Sequence, residues 1–113
     1  MSETIFTKII KKEIPADVVH EDEHCLAFRD INPQAPVHIL IIPKKPLPRL
    51  IDAAAEDKEL LGHLMLVASM VADKEGVSEA FRLVLNNGAG AGQEIFHIHL
   101  HLLAGRGFSW PPG

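Results

Sequence analysis

Residues 97–103 read His-Ile-His-Leu-His-Leu-Leu, and this stretch decides how the rest of the chain is arranged. Histidines occupy every second position, and aliphatic residues fill the positions between them. Because successive side chains of a β-strand point to opposite faces, the pattern predicts a strand with all its imidazoles on one face and its aliphatic side chains on the other. The aliphatic face can pack under a helix, which leaves the other face to His97, His99 and His101.

Clustered imidazoles offer two kinds of chemistry. Imidazole is neutral or charged near physiological pH and serves as nucleophile, proton donor or phosphate partner. Zinc binding is the alternative, since two histidines at i and i+2 can share an ion. His97 and His101, however, lie about 13 Å apart along a strand at about 3.4 Å per residue. A zinc site would need His38 as a further ligand, and Cys25 has no second cysteine at ligand spacing. We therefore predict no metal.

Length and composition predict one ordinary globular domain over residues 1–113. Hydrophobic residues make up 47% and charged residues 23%, which excludes a disordered chain. The net charge of −4 argues against nucleic-acid binding, because such proteins present a basic face. Cys25 is the lone cysteine, and no stretch resembles a signal peptide or a membrane span. We expect a cytoplasmic protein that binds small molecules or proteins, with no nucleic-acid or membrane partner.

The other segments predict an α+β domain. Residues 4–12 have helical spacing behind Ser2 or Thr4 as N-cap candidates, and residues 56–75 form the strongest amphipathic helix. Gly76 suits the left-handed position just beyond that helix. Strands are predicted at 18–21, 25–29, 38–42, 81–87 and 94–103, with a flexible glycine-rich turn at 88–92. The prediction is a five-stranded antiparallel sheet covered on one face, with one long helix and a short N-terminal helix.

With these segments in place, the sequence resembles the histidine triad family, and its HINT branch in particular. The family hallmark is His-φ-His-φ-His-φ-φ, where φ is hydrophobic, and residues 97–103 match it without departure. Residues 6–15 are similar to the family's N-terminal helix, and residues 27–38 to its ribose-binding loop and third strand. Residues 92–94 resemble its phosphate loop, and residues 109–113 the HINT tail. The resemblance spans essentially the whole chain and implies a single HIT domain with a HIT-like fold.

The resemblance implies a homodimeric purine nucleoside phosphoramidase. Such enzymes hydrolyse the P–N bond of AMP-amine substrates and also cleave aminoacyl adenylates. The middle histidine, here His99, is implied to be the nucleophile, which forms a covalent His–AMP intermediate that water then hydrolyses. His101 is implied to contact the phosphate, while His97 and His38 orient this pair. No cofactor is implied.

The resemblance also implies a nucleotide pocket. Asp30 would accept hydrogen bonds from the ribose hydroxyls, and Asn86 would contact the nucleotide. The apolar residues implied to lie near the purine are Ile31, Phe6, Ile9 and Phe28. The backbone implied to approach the phosphate is that of Gly92, Gln93 and Glu94. Animal-type members carry Ser at position 94, so the role of the Glu94 side chain stays open. From the residues alone, Asp30 is more simply a turn former, and the apolar residues are equally plausible as core.

Two other functions stay open at this stage. One is a dinucleoside polyphosphate hydrolase of the same superfamily, and the other is a non-catalytic nucleotide-binding scaffold. An adenylyl-DNA repair hydrolase would need DNA contacts that this acidic chain lacks. For Trp110, the resemblance implies that it closes the pocket of a partner subunit or contacts the substrate, and the alternative is that it anchors the C-terminal segment by packing.

Overall fold

Five antiparallel strands form one sheet in the computed structural model, which describes residues 3–113. The strands are β1 (Val18–Glu21), β2 (Cys25–Arg29), β3 (Val37–Pro43), β4 (Arg82–Val84) and β5 (Leu100–Ala104). Their order across the sheet is β1-β2-β3-β5-β4. β5, which carries the last histidine of the motif, therefore has a neighbour on both sides, with His101 directly opposite Leu40 of β3 and Val84 of β4. The predicted fold class is confirmed.

β5 begins later than the sequence pattern predicted. The strand expected over 94–103 is observed only from Leu100, because its neighbour β3 ends at Pro43. Proline has no N–H with which to continue a ladder, and two further prolines follow closely. The segment before β5 is instead held by single hydrogen bonds, such as the one that the Ile98 N–H donates to the Leu47 carbonyl at 2.7 Å.

The other strands match their predictions to different degrees. β1 and β2 have the predicted bounds, and β3 is one residue longer at each end. β4 covers only three residues of the predicted 81–87, because its pairing with β5 ends where Val84 meets His101. Beyond that point the Asn87 side chain accepts a hydrogen bond from the Ile51 N–H at 2.8 Å. This contact holds the chain away from the sheet.

The long helix, α2 (Lys58–Lys74), packs across one face of the sheet. The first residues of the prediction form a 3-10 turn at Ala55–Asp57 instead of α-helix. Gly76 follows the helix with a φ of +77°, which confirms the predicted left-handed position. The buried residues of α2 are Leu64, Val67, Ala68, Val71 and Ala72. They pack on Cys25, Ala27, Ile39, Ile41, Leu100 and Leu102. Full burial of each large aliphatic side chain stabilises the fold by about 1.5–3 kcal/mol. Within residues 3–113, no helix is long and apolar enough to cross a membrane.

The short N-terminal helix, α1 (Ile5–Ile10), begins at a capping box. The Thr4 hydroxyl accepts a hydrogen bond from the Thr7 N–H at 3.4 Å, and the Thr4 N–H donates to the Thr7 hydroxyl at 3.2 Å. Thr4 is thus confirmed as the N-cap, while the other candidate, Ser2, lies outside the described residues. The helix ends two residues earlier than predicted, before Lys12 takes up a φ of +64°.

α1 covers part of the second face of the sheet, so the prediction of one covered face was wrong. Phe6 and Ile9 are its buried residues. They pack on Leu26, Phe28, Leu40 and Ile42. The physical reason is the run of apolar residues in β2 and β3, which are buried on both faces and need cover on both.

Gly105, just after β5, has a backbone conformation and a close neighbour that leave no room for a side chain. Its φ is +94°, and a Cβ there would lie 2.8 Å from the Cβ of Pro36. We expect Gly105→Ala to lower the free energy of unfolding by about 2–3 kcal/mol. Gly62→Ala is the matched control, because this exposed helical position has open space and alanine there should add up to about 1 kcal/mol. Urea denaturation of both variants should shift in opposite directions; shifts of the same sign would contradict the prediction.

Candidate active site

The motif histidines lie on the α1 side of the sheet. His101 stands opposite Leu40, a residue that packs against α1. The ring of Phe6 meets His99 edge-on, with centroids 5.0 Å apart, and it meets His97 in the same way at 6.0 Å. His99 and His101 line a cavity, whereas His97 is 1% exposed and lies behind them.

His99 is a neutral imidazole with a free lone pair. Its Nδ1 lies 2.9 Å from the carbonyl oxygen of His97. A carbonyl oxygen only accepts hydrogen bonds, so Nδ1 carries the proton and Nε2 is unprotonated. Burial lowers the pKa of His99, which keeps the ring neutral at pH 7. An unprotonated imidazole nitrogen on the wall of a cavity is suited to nucleophilic attack.

A chain of hydrogen bonds through His38 fixes the proton of His101. The Gln34 N–H donates to Nδ1 of His38 at 3.0 Å, so His38 carries its own proton on Nε2. That Nε2 lies 3.0 Å from Nδ1 of His101 and donates to it. The neutral ring of His101 therefore keeps its proton on Nε2. Burial, followed by repulsion from His99 and His38, lowers the pKa of His101 to about 4.

Two neighbouring rings thus present complementary groups. The ring centroids of His99 and His101 are 5.0 Å apart. His99 offers a lone pair and His101 offers an N–H, and both rings are uncharged at neutral pH. A ligand atom that His99 attacks can therefore have a neighbouring oxygen that accepts a hydrogen bond from His101.

His97 holds this arrangement from behind. Its Nε2 donates to the carbonyl oxygen of Pro43 at 2.7 Å, and its own carbonyl oxygen accepts a hydrogen bond from the Nδ1–H of His99. Burial lowers its pKa as well. Its Nδ1 is buried and has no hydrogen-bond partner among the described residues. The ring anchors the backbone carbonyl on which the tautomer of His99 depends.

The cavity beside the histidines has a volume of about 540 Å³, which suits a small-molecule ligand. Most of the site residues predicted from the sequence line it. They are His99, His101, His38, Asp30, Ile31, Asn86, Gly92, Glu94, Phe6, Ile9 and Phe28. Two predicted residues, His97 and Gln93, do not.

Asp30 lies at the edge of the cavity and has a turn-forming role as well. One of its carboxylate oxygens accepts a hydrogen bond from the Asn32 N–H at 2.8 Å. The other lies 3.5 Å from Nε2 of His38. The turn role considered from the sequence is therefore real, and it leaves the second oxygen directed at the histidine chain.

Gln93 braces the glycine-rich turn from behind. Its side-chain oxygen accepts a hydrogen bond from the Gly88 N–H at 2.8 Å, and its amide nitrogen donates to the carbonyls of Pro48 and Ile95 at 2.7 and 3.0 Å. The turn predicted to be flexible is thus tied down at three points. Gly92, at a φ of +98°, leaves its backbone facing the cavity.

A model of the HIT domain matches residues 11–108. The chain belongs to the HIT family. The 14 kDa zinc-binding protein of Zea mays is 57% identical over 114 residues, which cover 99% of this chain and 89% of that protein. A HIT family hydrolase of Legionella pneumophila superimposes with a TM-score of 0.96 at 54% identity, covering 98% of this chain and 100% of that one. A histidine triad nucleotide-binding protein of Candida albicans superimposes with a TM-score of 0.83 at 31% identity, covering 96% of this chain and 83% of that one. This chain therefore has the fold of HIT family hydrolases.

Sequence reasoning missed part of the wall of this HIT cavity. The missed apolar residues are Ile5, Ile14, Pro15, Ala16, Leu40 and Ile95. It also missed Gln34, whose backbone N–H sets the proton of His38. The only available signal was the alternation of Leu40 with His38 along β3, which places the two on one face.

One group of side chains at this site, among the described residues, could hold a metal ion. Asp30, His38 and His101 place possible ligand atoms within 4.8 Å of one another. The hydrogen bond between the two rings and the 3.5 Å contact of Asp30 with Nε2 of His38 already account for this proximity. An ion bound there would remove the bond that orients His101.

Burial of neutral histidines should make the stability of the HIT domain depend on pH. Burial lowers the pKa values of His38, His97, His99 and His101, whereas the unfolded chain titrates near pH 6.5. Below that pH the unfolded state binds more protons, so the free energy of unfolding should fall from about pH 6.5 towards pH 4 and be constant just above it. Urea denaturation at several pH values measures this, and His101→Phe should flatten the slope. An unchanged slope in that variant would contradict the prediction.

Proposed function

We propose that this HIT domain is a cytoplasmic purine nucleoside phosphoramidase of the HINT branch. One observation carries the proposal: the lone pair of His99 and the N–H of His101 lie side by side on the wall of one cavity. A nucleophile beside a hydrogen-bond donor suits attack on phosphorus. The single free thiol, Cys25, is consistent with a reducing compartment.

The proposed reaction has two displacements at phosphorus. Nε2 of His99 forms a bond to the α-phosphorus, and the P–N bond to the amine breaks, so the amine leaves with a proton taken up from the medium. The adenylylated ring of His99 is then cationic, and its Nδ1–H bond to the His97 carbonyl stabilises that charge. Water attacks the phosphorus next, the bond between phosphorus and Nε2 breaks, and the water gives up a proton to the medium, so AMP is released and the neutral ring is restored. One water molecule is consumed in each cycle.

The cavity supplies the contacts that a nucleotide needs. In the proposed complex, the carboxylate of Asp30 accepts hydrogen bonds from the ribose hydroxyls. The N–H of His101 donates to a non-bridging phosphate oxygen, as does the backbone near Gly92. The apolar residues proposed to hold the purine are Phe6, Ile9, Ile31 and Phe28. The name of the Candida albicans neighbour, a histidine triad nucleotide-binding protein, supports the proposal that this domain binds a nucleotide.

The proposal is tested by turnover of adenosine 5′-phosphoramidate. We expect AMP release, together with a transient adenylyl group on His99 in protein quenched with alkaline denaturant, since acid cleaves phosphorus–nitrogen bonds. Peptide mass spectrometry locates the group. An adduct on another residue would contradict the assignment of His99 as the nucleophile. Absence of turnover would contradict the proposed function. Faster cleavage of diadenosine polyphosphates would favour the polyphosphate hydrolase, whereas binding without turnover would favour the scaffold.

We also propose that the domain is a homodimer. α2 presents Met65, Leu66 and Met70 to solvent, and Leu66 is 72% exposed. β4 is a sheet edge with one neighbour, and exposed apolar side chains and a free sheet edge are each typical of an interface. Sedimentation equilibrium should give twice the chain mass of 12.4 kDa, and Leu66→Glu should give the monomer. A monomeric wild-type protein at micromolar concentration would overturn the proposal.

A further inference from the structure

A second group of metal-ligating side chains lies at the turn between β1 and β2. Three donors converge on one carboxylate oxygen, Oδ2 of Asp22. Nε2 of His20 and Nε2 of His63 each lie 2.8 Å from it, and Sγ of Cys25 lies 3.5 Å from it. The ligand atoms of His20, Asp22 and Cys25 all lie within 4.8 Å of one another. The proposed reaction uses none of these residues.

We propose that these four residues, the Asp22 cluster, form a zinc site separate from the histidine cavity. Two imidazoles, a thiolate and a carboxylate are all ligands that zinc accepts, and four donors match its tetrahedral preference. The charges also match. Asp22 and the thiolate of Cys25 together balance the two positive charges of the ion, while His20 and His63 stay neutral.

The backbone already orients one of the ligands. The second oxygen of Asp22 accepts hydrogen bonds from the N–H groups of His24 and Cys25, at 2.8 and 2.9 Å. These bonds leave Oδ2 aimed at the other donors, as outer hydrogen bonds do for metal ligands. Zinc bonds are about 2.0–2.3 Å long, so the ligand atoms of His20, Asp22 and Cys25 must draw closer together. The ring of His63, which contacts Asp22, must also turn towards the ion to become the fourth ligand.

The protons balance when the ion binds. In the metal-free cluster, Nε2 of His20 and of His63 donate to the carboxylate. On coordination each ring carries its proton on Nδ1 and stays neutral. Cys25 loses its S–H proton to solvent as the zinc–sulfur bond forms, so one proton is released for each ion bound.

The site lies on the opposite face of the sheet from the reaction. Cys25 belongs to the core beneath α2, and His63 is part of α2 itself, whereas His99 and His101 are on the α1 side. A bound ion would join the β1–β2 hairpin to the long helix. The ion would stabilise the folded state and take no part in catalysis.

Zinc titration of the full chain, purified without a polyhistidine tag and stripped with a chelator, tests the assignment. In competition with a chromophoric chelator we expect one zinc ion per chain. His63→Gln should weaken binding about 100-fold or more, because it removes one ligand at a half-exposed position that tolerates glutamine. Absence of stoichiometric binding overturns the proposal.

Two control variants separate this site from its neighbours. The ring of His24 lies 5.7 Å from that of His63, but its side chain does not contact Asp22, so His24→Gln should bind zinc like the wild type. His101→Gln, which alters the other possible ligand group, should also bind normally. Zinc lost in His101→Gln and kept in His63→Gln would overturn the assignment and place the ion in the cavity.

Cobalt substitution tests the thiolate directly. Co²⁺ bound at the Asp22 cluster should show a thiolate-to-metal charge-transfer band in the near ultraviolet, and Cys25→Ser should lose it. A cobalt complex without that band would overturn the ligand set.

Removal of zinc should raise the sensitivity of the fold to urea. It should leave the rate of any nucleotide hydrolysis unchanged at a temperature where the protein is folded. A rate that depends on zinc would overturn the separation of the two sites.

Discussion

His99→Ala is expected to lower the kcat for AMP release from adenosine 5′-phosphoramidate by about 10⁴-fold or more, because removal of a covalent nucleophile removes the whole two-step route. Among the imidazoles that line the cavity in residues 3–113, only His99 has a ring nitrogen, Nε2, whose lone pair accepts no hydrogen bond. The lone pair of His101 accepts a hydrogen bond from His38, and the lone pair of His38 accepts one from the Gln34 N–H. Neither ring can replace the nucleophile without breaking this chain.

Single-turnover kinetics of the His99 variant should show no adenylylated protein. Circular dichroism and urea denaturation check its fold, and calorimetric titration with AMP should show that the pocket still binds. His24→Gln is the matched control, since its ring is on the surface and outside the cavity, and it should keep the wild-type rate. Turnover by His99→Ala at more than a hundredth of the wild-type rate would refute the assignment.

The sequence predicted the elements whose signals are local. Thr4 has the side chain that an N-cap needs, and Gly76 supplies the left-handed residue after a long helix. The bounds of β1 and β2 follow from short β-rich runs around a polar turn. Alternation along residues 99–103 depends only on the geometry of a strand, so it placed His99 and His101 on one face correctly.

What the sequence could not predict depends on contacts between distant segments. The early end of β3 at Pro43 removed the partner for residues 94–99, and pattern alone does not reveal which strands pair. The tautomer of His101 depends on the backbone N–H of Gln34, which has no signature in the identity of that residue. The Asp22 cluster is a similar case, since His63 joins it across 41 positions of sequence.

Substitution of His101 should separate the role of a hydrogen-bond donor from that of a ring. His101→Phe keeps a ring of similar size and removes the N–H, and we expect kcat/KM to fall about 10²–10³-fold. His101→Gln places an amide N–H close to the position of Nε2, so it should recover about tenfold of that loss. Because the pKa of His101 is about 4, its donor is a neutral imidazole in the wild type. A neutral amide can therefore replace it without a change of charge.

The effect of His101 should appear in kcat more than in KM, because negative charge builds up on the phosphate oxygens as the P–N bond breaks. Steady-state kinetics of the phenylalanine and glutamine variants at pH 7.5, with their folding checked by urea denaturation, measure this division. Equal rates in the two variants would mean that the N–H has no role in the reaction. An increase in KM alone would mean that His101 binds substrate and transition state equally well, and the charge-stabilising role would then be wrong.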